Sequence, residues 1–226
     1  MSKPAAGART LARHPSGILL FAQLVVVLLY PFLDESTLGR AVVGVVQMVV
    51  VLIAAWAVRA TPALSWVAVV LGGPAMVLAV VEAIADDSDT VILVSAVFHV
   101  PFYFFVSYAM IRYLFHDDVV TRDELLAVGA AFTVVAWAFA YVYAAAQVLW
   151  PGSFVSYASP DAGIDLPWFE LLYLSFTTLT SVGLSDVYPV LDHARSLVMV
   201  EQVAGVLYVA LVVARLVGLT RRRPTS

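Results

Sequence analysis

Cysteine is absent from the 226 residues. That excludes a disulfide framework, a thiolate metal site and a cysteine nucleophile, and it leaves the redox compartment unread. Charge is scarce as well, since Asp, Glu, Lys and Arg make up 12% of the chain against 62% apolar residues, with a mean hydropathy of +0.96. Water-soluble domains carry about 25% charged residues. The chain therefore reads as an integral membrane protein. Metal-ligand spacing, a nucleophile elbow, a phosphate loop and a basic nucleic-acid patch are all missing. Neither an enzyme nor a nucleic-acid partner is expected.

A bilayer core takes about 20 mainly apolar residues per helix. Six stretches qualify: residues 17–33, 41–58, 62–81, 90–113, 123–149 and 194–219. Ala, Val and Leu dominate them without period-two alternation, and only helices or closed barrels satisfy their own backbone in lipid. The expected fold is all-α with six transmembrane helices. The even count puts both termini on one side. Lys3, Arg9, Arg13, Arg59, Arg112, Arg122, Arg215 and Arg221 to Arg223 fall on that side, and only Arg40 and Arg195 on the other. By the positive-inside bias the termini are cytoplasmic, and the plasma (inner) membrane is the expected location. The opposite face carries Asp34, Glu35, Glu82, Asp86, Asp87, Asp89, Asp161 and Asp165. It either enriches cations locally or keeps the outer surface soluble. The basic N-terminal stretch is not expected to be a cleaved signal, because Tyr30-Pro31-Phe32-Leu33 offers no small-residue cleavage site and removal would leave an odd number of spans.

Residues 173–190, YLSFTTLTSVGLSDVYPV, interrupt the apolar pattern between the last two spans. The stretch is too polar, and too broken by Gly183 and Pro189, to cross a bilayer. It reads as a re-entrant loop. Residues 150–166 are turn chemistry. Leu166, Phe169, Leu172, Tyr173 and Phe176 then recur at helical spacing, with Pro167 near the start where its missing amide does no harm. This predicts a helix of about ten residues, entering from outside, whose C-terminal dipole end favours a cation in mid-membrane. Thr180 to Ser185 would return as extended backbone, tolerable only where protein lines a cavity. Brought together around an axis, such carbonyls form rings of oxygens that replace a cation's hydration shell.

The C-terminal hundred residues resemble the pore module of the tetrameric potassium channel superfamily: outer helix, pore helix, selectivity filter and inner helix. The family pattern Thr-x-x-Thr-Val-Gly-Tyr-Gly-Asp, with a proline a few residues on, is met by Thr177 or Thr178, then Ser181, Val182, Gly183, Leu184, Ser185, Asp186 and Pro189. The stretch ARSLVMVEQVAGVLYVALVVARLVGL also resembles the inner helix of small bacterial members. The resemblance implies that Thr180, Ser181, Val182, Gly183, Leu184 and Ser185 line the ion path, with carbonyls as potassium ligands and the Ser181 hydroxyl innermost. It implies support from Thr177, Thr178 and Asp186, and a homotetramer, since one chain supplies one filter strand; Glu201, in the inner helix, is a further support candidate. Potassium is the permeant ligand, no other cofactor is expected, and the remaining partner is membrane lipid. Three departures stand out. Ser181 loses a methyl group, Leu184 lacks the aromatic hydroxyl that would brace the filter, and Ser185 replaces a glycine of positive φ at a cost of about 1 kcal/mol per subunit.

The chain thus divides into a tail (1–16), a four-helix peripheral membrane domain (17–115), a pore domain (122–219) and a tail (220–226). The fourth span holds only Arg112, at its end, whereas a voltage sensor needs several spaced arginines. Glu201 needs a partner or a proton, and either braces the pore helix or binds ions. Gly205 is a gating hinge or a packing position. His99 is a hydrogen-bonded core group or a proton sensor, and His193 is an incidental loop residue or a modulator. Pro101 predicts a kink, and Gly72-Gly73-Pro74 a break of the kind seen in transporters, though no inverted repeat accompanies it. The expected function is a potassium-preferring cation channel. The alternatives are a non-selective or sodium-permeable channel of the same fold and a non-conducting membrane subunit or sensor.

Overall fold

The computed structural model describes residues 15–33, 62–84, 88–115, 121–157 and 165–220, with isolated positions between 39 and 50. The expected second span (41–58) lies largely outside the described residues. So do most of the N-terminal tail, residues 221–226, and Asp34, Glu35, Asp86, Asp87 and Asp161.

The described chain runs α1 (Pro15–Leu33), α2 (Pro62–Ile84), α3 (Asp89–Leu114), α4 (Arg122–Leu149), β1 (Phe154–Ser156), α5 (Trp168–Leu179), β2 (Val187–Pro189) and α6 (Asp192–Thr220). Among the described residues four helices are long and apolar enough to cross a membrane: Ser16–Leu33, Asp89–Tyr113, Asp123–Leu149 and Asp192–Val217. The apolar run of α2 is shorter, Trp66–Glu82. Prolines at the first position of α1 and α2 fit there because the first helical amides have no partner in any case.

Helix α4 sits at the centre. Ala127, Ala130, Ala131, Ala136, Ala138, Ala140, Ala144 and Ala146 are all buried along it, and such small side chains let neighbouring backbones approach closely. Helices α1, α3, α5 and α6 pack on it, while α2 packs on α3. A capping box opens α4: the Glu124 amide donates to Thr121 Oγ1 at 3.2 Å and the Thr121 amide to Glu124 Oε2 at 2.8 Å. Asp123 beside it takes the Ser16 amide (3.2 Å) and hydroxyl (3.0 Å), fastening the start of α1 to the start of α4.

Two sequence expectations are corrected. The helix does not break at Gly72-Gly73-Pro74, since α2 continues to Ile84. Gly72 serves packing instead, as a Cβ there would meet the Phe102 ring of α3 at 2.8 Å. Nor is the stretch expected as turn chemistry (150–166) without strand, since Phe154–Ser156 forms one. Strands β1 and β2 pair antiparallel, Val155 opposite Tyr188, and the Val190 amide donates to the Ser153 carbonyl at 2.8 Å. This ribbon joins the end of α4 to the start of α6. Tyr157 lies against Tyr188, ring centroids 4.9 Å apart, and hydrogen bonding between the hydroxyls pushes the Tyr188 pKa up.

Candidate functional site

The short helix α5 is placed by its apolar side and by one serine. Leu171, Leu172, Leu174 and Leu179 are buried. Ser175, also fully buried, faces the Ala136 carbonyl of α4 at 2.9 Å and the Glu201 carboxylate of α6. The Tyr143 hydroxyl of α4 donates to the other Glu201 oxygen. One carboxylate with no solvent exposure therefore ties together α4, α5 and α6. An unpaired charge would be costly here, and two hydroxyls meet it.

Gly205 lies about 20 Å along α6 from its start, by the 1.5 Å rise per residue. A Cβ at Gly205 would collide with the Leu179 carbonyl oxygen and lie 2.9 Å from its carbon. The last residue of α5 is thus set against the middle of α6, while residues 187–189 return to the end where α6 begins. The packing role of Gly205 is directly visible, and α6 is helical through it.

The turn after α5 differs from the extended return that the sequence predicts. Thr180 is still right-handed (φ −77°, ψ −8°), and Ser181 is left-handed at φ 59°. The Val182 amide bonds the Thr177 carbonyl (3.1 Å), and the Ser181 amide bonds that of Thr178 (2.9 Å). These are the 6→1 and 5→2 bonds of a Schellman cap with Ser181 at the left-handed position. Gly183, at φ 67°, sends its amide to the same Thr177 carbonyl at 3.1 Å. Among the described residues the positive-φ residue other than glycine is Ser181, not Ser185, so the strain expected at Ser185 is not found there. Ser185 instead turns its hydroxyl to accept the Val187 amide at 3.0 Å.

Residues 180–184 are exposed, Val182 and Leu184 at 67% and 75%. No hydrogen bond within the described chain ends on the carbonyls of Thr180, Ser181, Val182 or Gly183. The Leu184 carbonyl accepts from the Tyr173 hydroxyl of α5 at 3.1 Å. Tyr173 was read from the sequence as a helix-periodic apolar position, and its hydroxyl was the signal for this second role. Thr177 and Thr178 are buried, with Thr177 Oγ1 turned back to the Leu174 carbonyl at 2.9 Å. Asp186 is exposed and offers its carbonyl to the Tyr157 amide at 2.9 Å. An open cavity of about 530 Å³ lies beside the segment, lined by Phe169, Glu170, Tyr173, Leu184, Ser185 and Asp186.

A family model described as ion channel matches residues 125–222, the stretch holding all of these elements from α4 to α6. This part of the chain is similar to ion channels of the potassium channel superfamily type. No curated protein and no solved structure matches the chain. Helices α1 to α3 precede the matched stretch in sequence but not in packing, because one apolar core holds Leu19 and Val26 of α1, Phe102 and Val106 of α3 and Leu172 of α5.

Of the four histidines, His99 and His193 are among the described residues, and each stacks on an aromatic ring at α4. His99 Nδ1 faces the Ser95 carbonyl at 3.0 Å, and its ring stacks on Tyr141 at 4.3 Å. His193 stacks on Trp150 at 4.4 Å, across the ends of α6 and α4.

Proposed function

We propose that the chain is the pore-forming subunit of a homotetrameric, potassium-preferring cation channel of the plasma membrane, with cytoplasmic termini and passive conduction. The observation that carries this reading is the row of exposed carbonyls at residues 180–183, unused by the chain itself, at the end of a short helix braced by buried contacts. Right-handed Thr180 beside left-handed Ser181 is the pairing that turns successive amides to one side of the backbone, which leaves the carbonyls for the other. Four copies around an axis would combine these carbonyls, those of Leu184 and Ser185 and the Ser181 hydroxyl into rings that replace the hydration shell of potassium.

The tetramer is supported by the apolar surface that one chain leaves uncovered. Only 17% of the α6 span is buried, against 67% of α4, and Met199, Val200, Val203, Val206 and Leu207 are more than half exposed. Classical voltage gating is not part of the reading, since Arg112 in the last turn is the only arginine of α3.

The test is current through purified protein in planar bilayers with potassium on one side and sodium on the other. Reversal near the potassium equilibrium potential is expected. Reversal near zero would replace potassium preference by non-selective cation passage, and silence across voltage and pH would favour a non-conducting subunit.

A further inference from the structure

One polar cluster joins α2, α3, α4 and α5 away from the exposed carbonyls. Glu82, half-buried near the end of α2, accepts a hydrogen bond from the Tyr141 hydroxyl of α4 at 3.1 Å. The Tyr141 ring stacks on His99 of α3 with planes 2° apart, and Trp168, the first residue of α5, lies 5.7 Å from it between centroids. Tyr103 of α3 lies 6.0 Å from both Tyr141 and Trp137, and Trp137 lies 6.1 Å from Trp168. Tyr30 of α1 covers Trp168 from a further side at 6.0 Å. The start of the short helix α5 is therefore seated in the peripheral helices.

The cluster is rich in donors and poor in acceptors. The Tyr103 hydroxyl and the indole N–H groups of Trp137 and Trp168 are buried without a hydrogen-bond partner. Glu82 brings a carboxylate to this cluster through its bond to Tyr141. A charge so placed acts strongly on such dipoles, because little solvent screens it. Tyr141 of α4, Tyr103 of α3 and the Ser95 hydroxyl of α3 face it, His99 of α3 and Tyr30 of α1 flank Tyr141, and Glu170 follows Trp168 by two residues on α5. Tyrosines ionise only near pH 10 and above, so glutamate and histidine are the types that change charge between about pH 4 and pH 8.

We propose that Glu82 is a proton-responsive positioning residue whose charge state is passed through Tyr141 to Trp168, so that the peripheral helices act on the start of α5. The ionised carboxylate makes the stronger, charge-assisted bond to the Tyr141 hydroxyl and holds the ring flat on His99. Protonation weakens that bond. Tyr141 and the Trp168 indole then readjust together.

The test uses the full chain in lipid nanodiscs, labelled with 5-fluorotryptophan, with the Trp168 resonance assigned by its loss in Trp168→Phe. That ¹⁹F resonance is followed from pH 4 to pH 8. Wild type is expected to shift through a single titration, Glu82→Gln to stay at the acid-form position throughout, and Tyr141→Phe to lose the shift. His99→Gln is expected to keep it. A pH-independent wild-type resonance, an unaltered titration in Glu82→Gln, or its loss in His99→Gln would overturn the proposal. Identical size-exclusion profiles check that the variants are folded. The effect on current rests on the channel reading, and it is expected as a pH dependence of current that Glu82→Gln removes. The resonance does not rest on that reading, so a silent protein whose Trp168 titrates would refute the channel and leave the coupling standing.

Discussion

Replacing Glu201 by alanine removes the acceptor that joins three helices, and its cost can be worked from the contacts. The Tyr143 hydroxyl, buried on α4, would lose the acceptor of its proton and keep only the Thr178 hydroxyl beside it. A buried group left unpaired costs about 1–3 kcal/mol. Ser175 would keep the Ala136 carbonyl at 2.9 Å and lose little. Losing the side-chain carbons from a site with no solvent exposure adds a cavity term, for a total of about 2–4 kcal/mol. For a chain of this size that is a fall in apparent melting temperature of about 5–15 °C. Glutamine behaves differently. Its carbonyl accepts from Tyr143, and its amide donates to Ser175, whose single proton then serves Ala136. Glu201→Gln is expected within about 1 kcal/mol of wild type. The assay is thermal unfolding in detergent followed by tryptophan fluorescence, with Tyr143→Phe completing a double-mutant cycle. The cycle should be non-additive, because the two residues touch. A Glu201→Ala protein melting within 2 °C of wild type, or a glutamine variant as damaged as the alanine one, would refute the clamp (thresholds roughly half of one kcal/mol).

Gly205→Ala places a Cβ against the Leu179 backbone. It should cost about 1–3 kcal/mol from overpacking, less the gain of about 0.5–1 kcal/mol in helix propensity, and a melting temperature above wild type would contradict the close packing. Ser181→Gly relieves a left-handed non-glycine residue. It should stabilise by roughly 1 kcal/mol on the same melting assay, and a melt no higher than wild type would show that the left-handed turn stores no strain. Gly183 is left-handed with open space around it. Gly183→Ala is expected to strain the segment and abolish current in the bilayer recording, and normal current would remove residues 180–185 from the ion path. Thr121→Ala should lower stability by about 1 kcal/mol through loss of the capping box, and an unchanged melt would show that tertiary contacts already hold the start of α4.

The membrane class, the helical content and the place of the site were legible in the chain because each depends on neighbours in sequence. Long Ala, Val and Leu runs set α1, α3, α4 and α6 to within a few residues, and Pro167 followed by an i, i+3, i+4 pattern marked α5. The string from Thr177 to Pro189 singled out the stretch on which the family match also falls. Local chemistry failed where two conformations compete. Gly72-Gly73-Pro74 weakens a helix in water, but in α2 the helix continues and Gly72 admits the Phe102 ring.

What only the tertiary structure decided are contacts between residues far apart in the chain. Glu201 reads as a problem until Tyr143 and Ser175, 58 and 26 positions away, are seen to meet it. Glu82 looked like one more outer-face acid until Tyr141, 59 positions on, was found bonded to it. The left-handed residue moved from Ser185 to Ser181 because the end of α5 satisfies its own carbonyls with the following amides. Hydropathy and periodicity say which segments leave water. The partner of a buried polar group is set by the packing of helices against one another, and no local pattern encodes that distance.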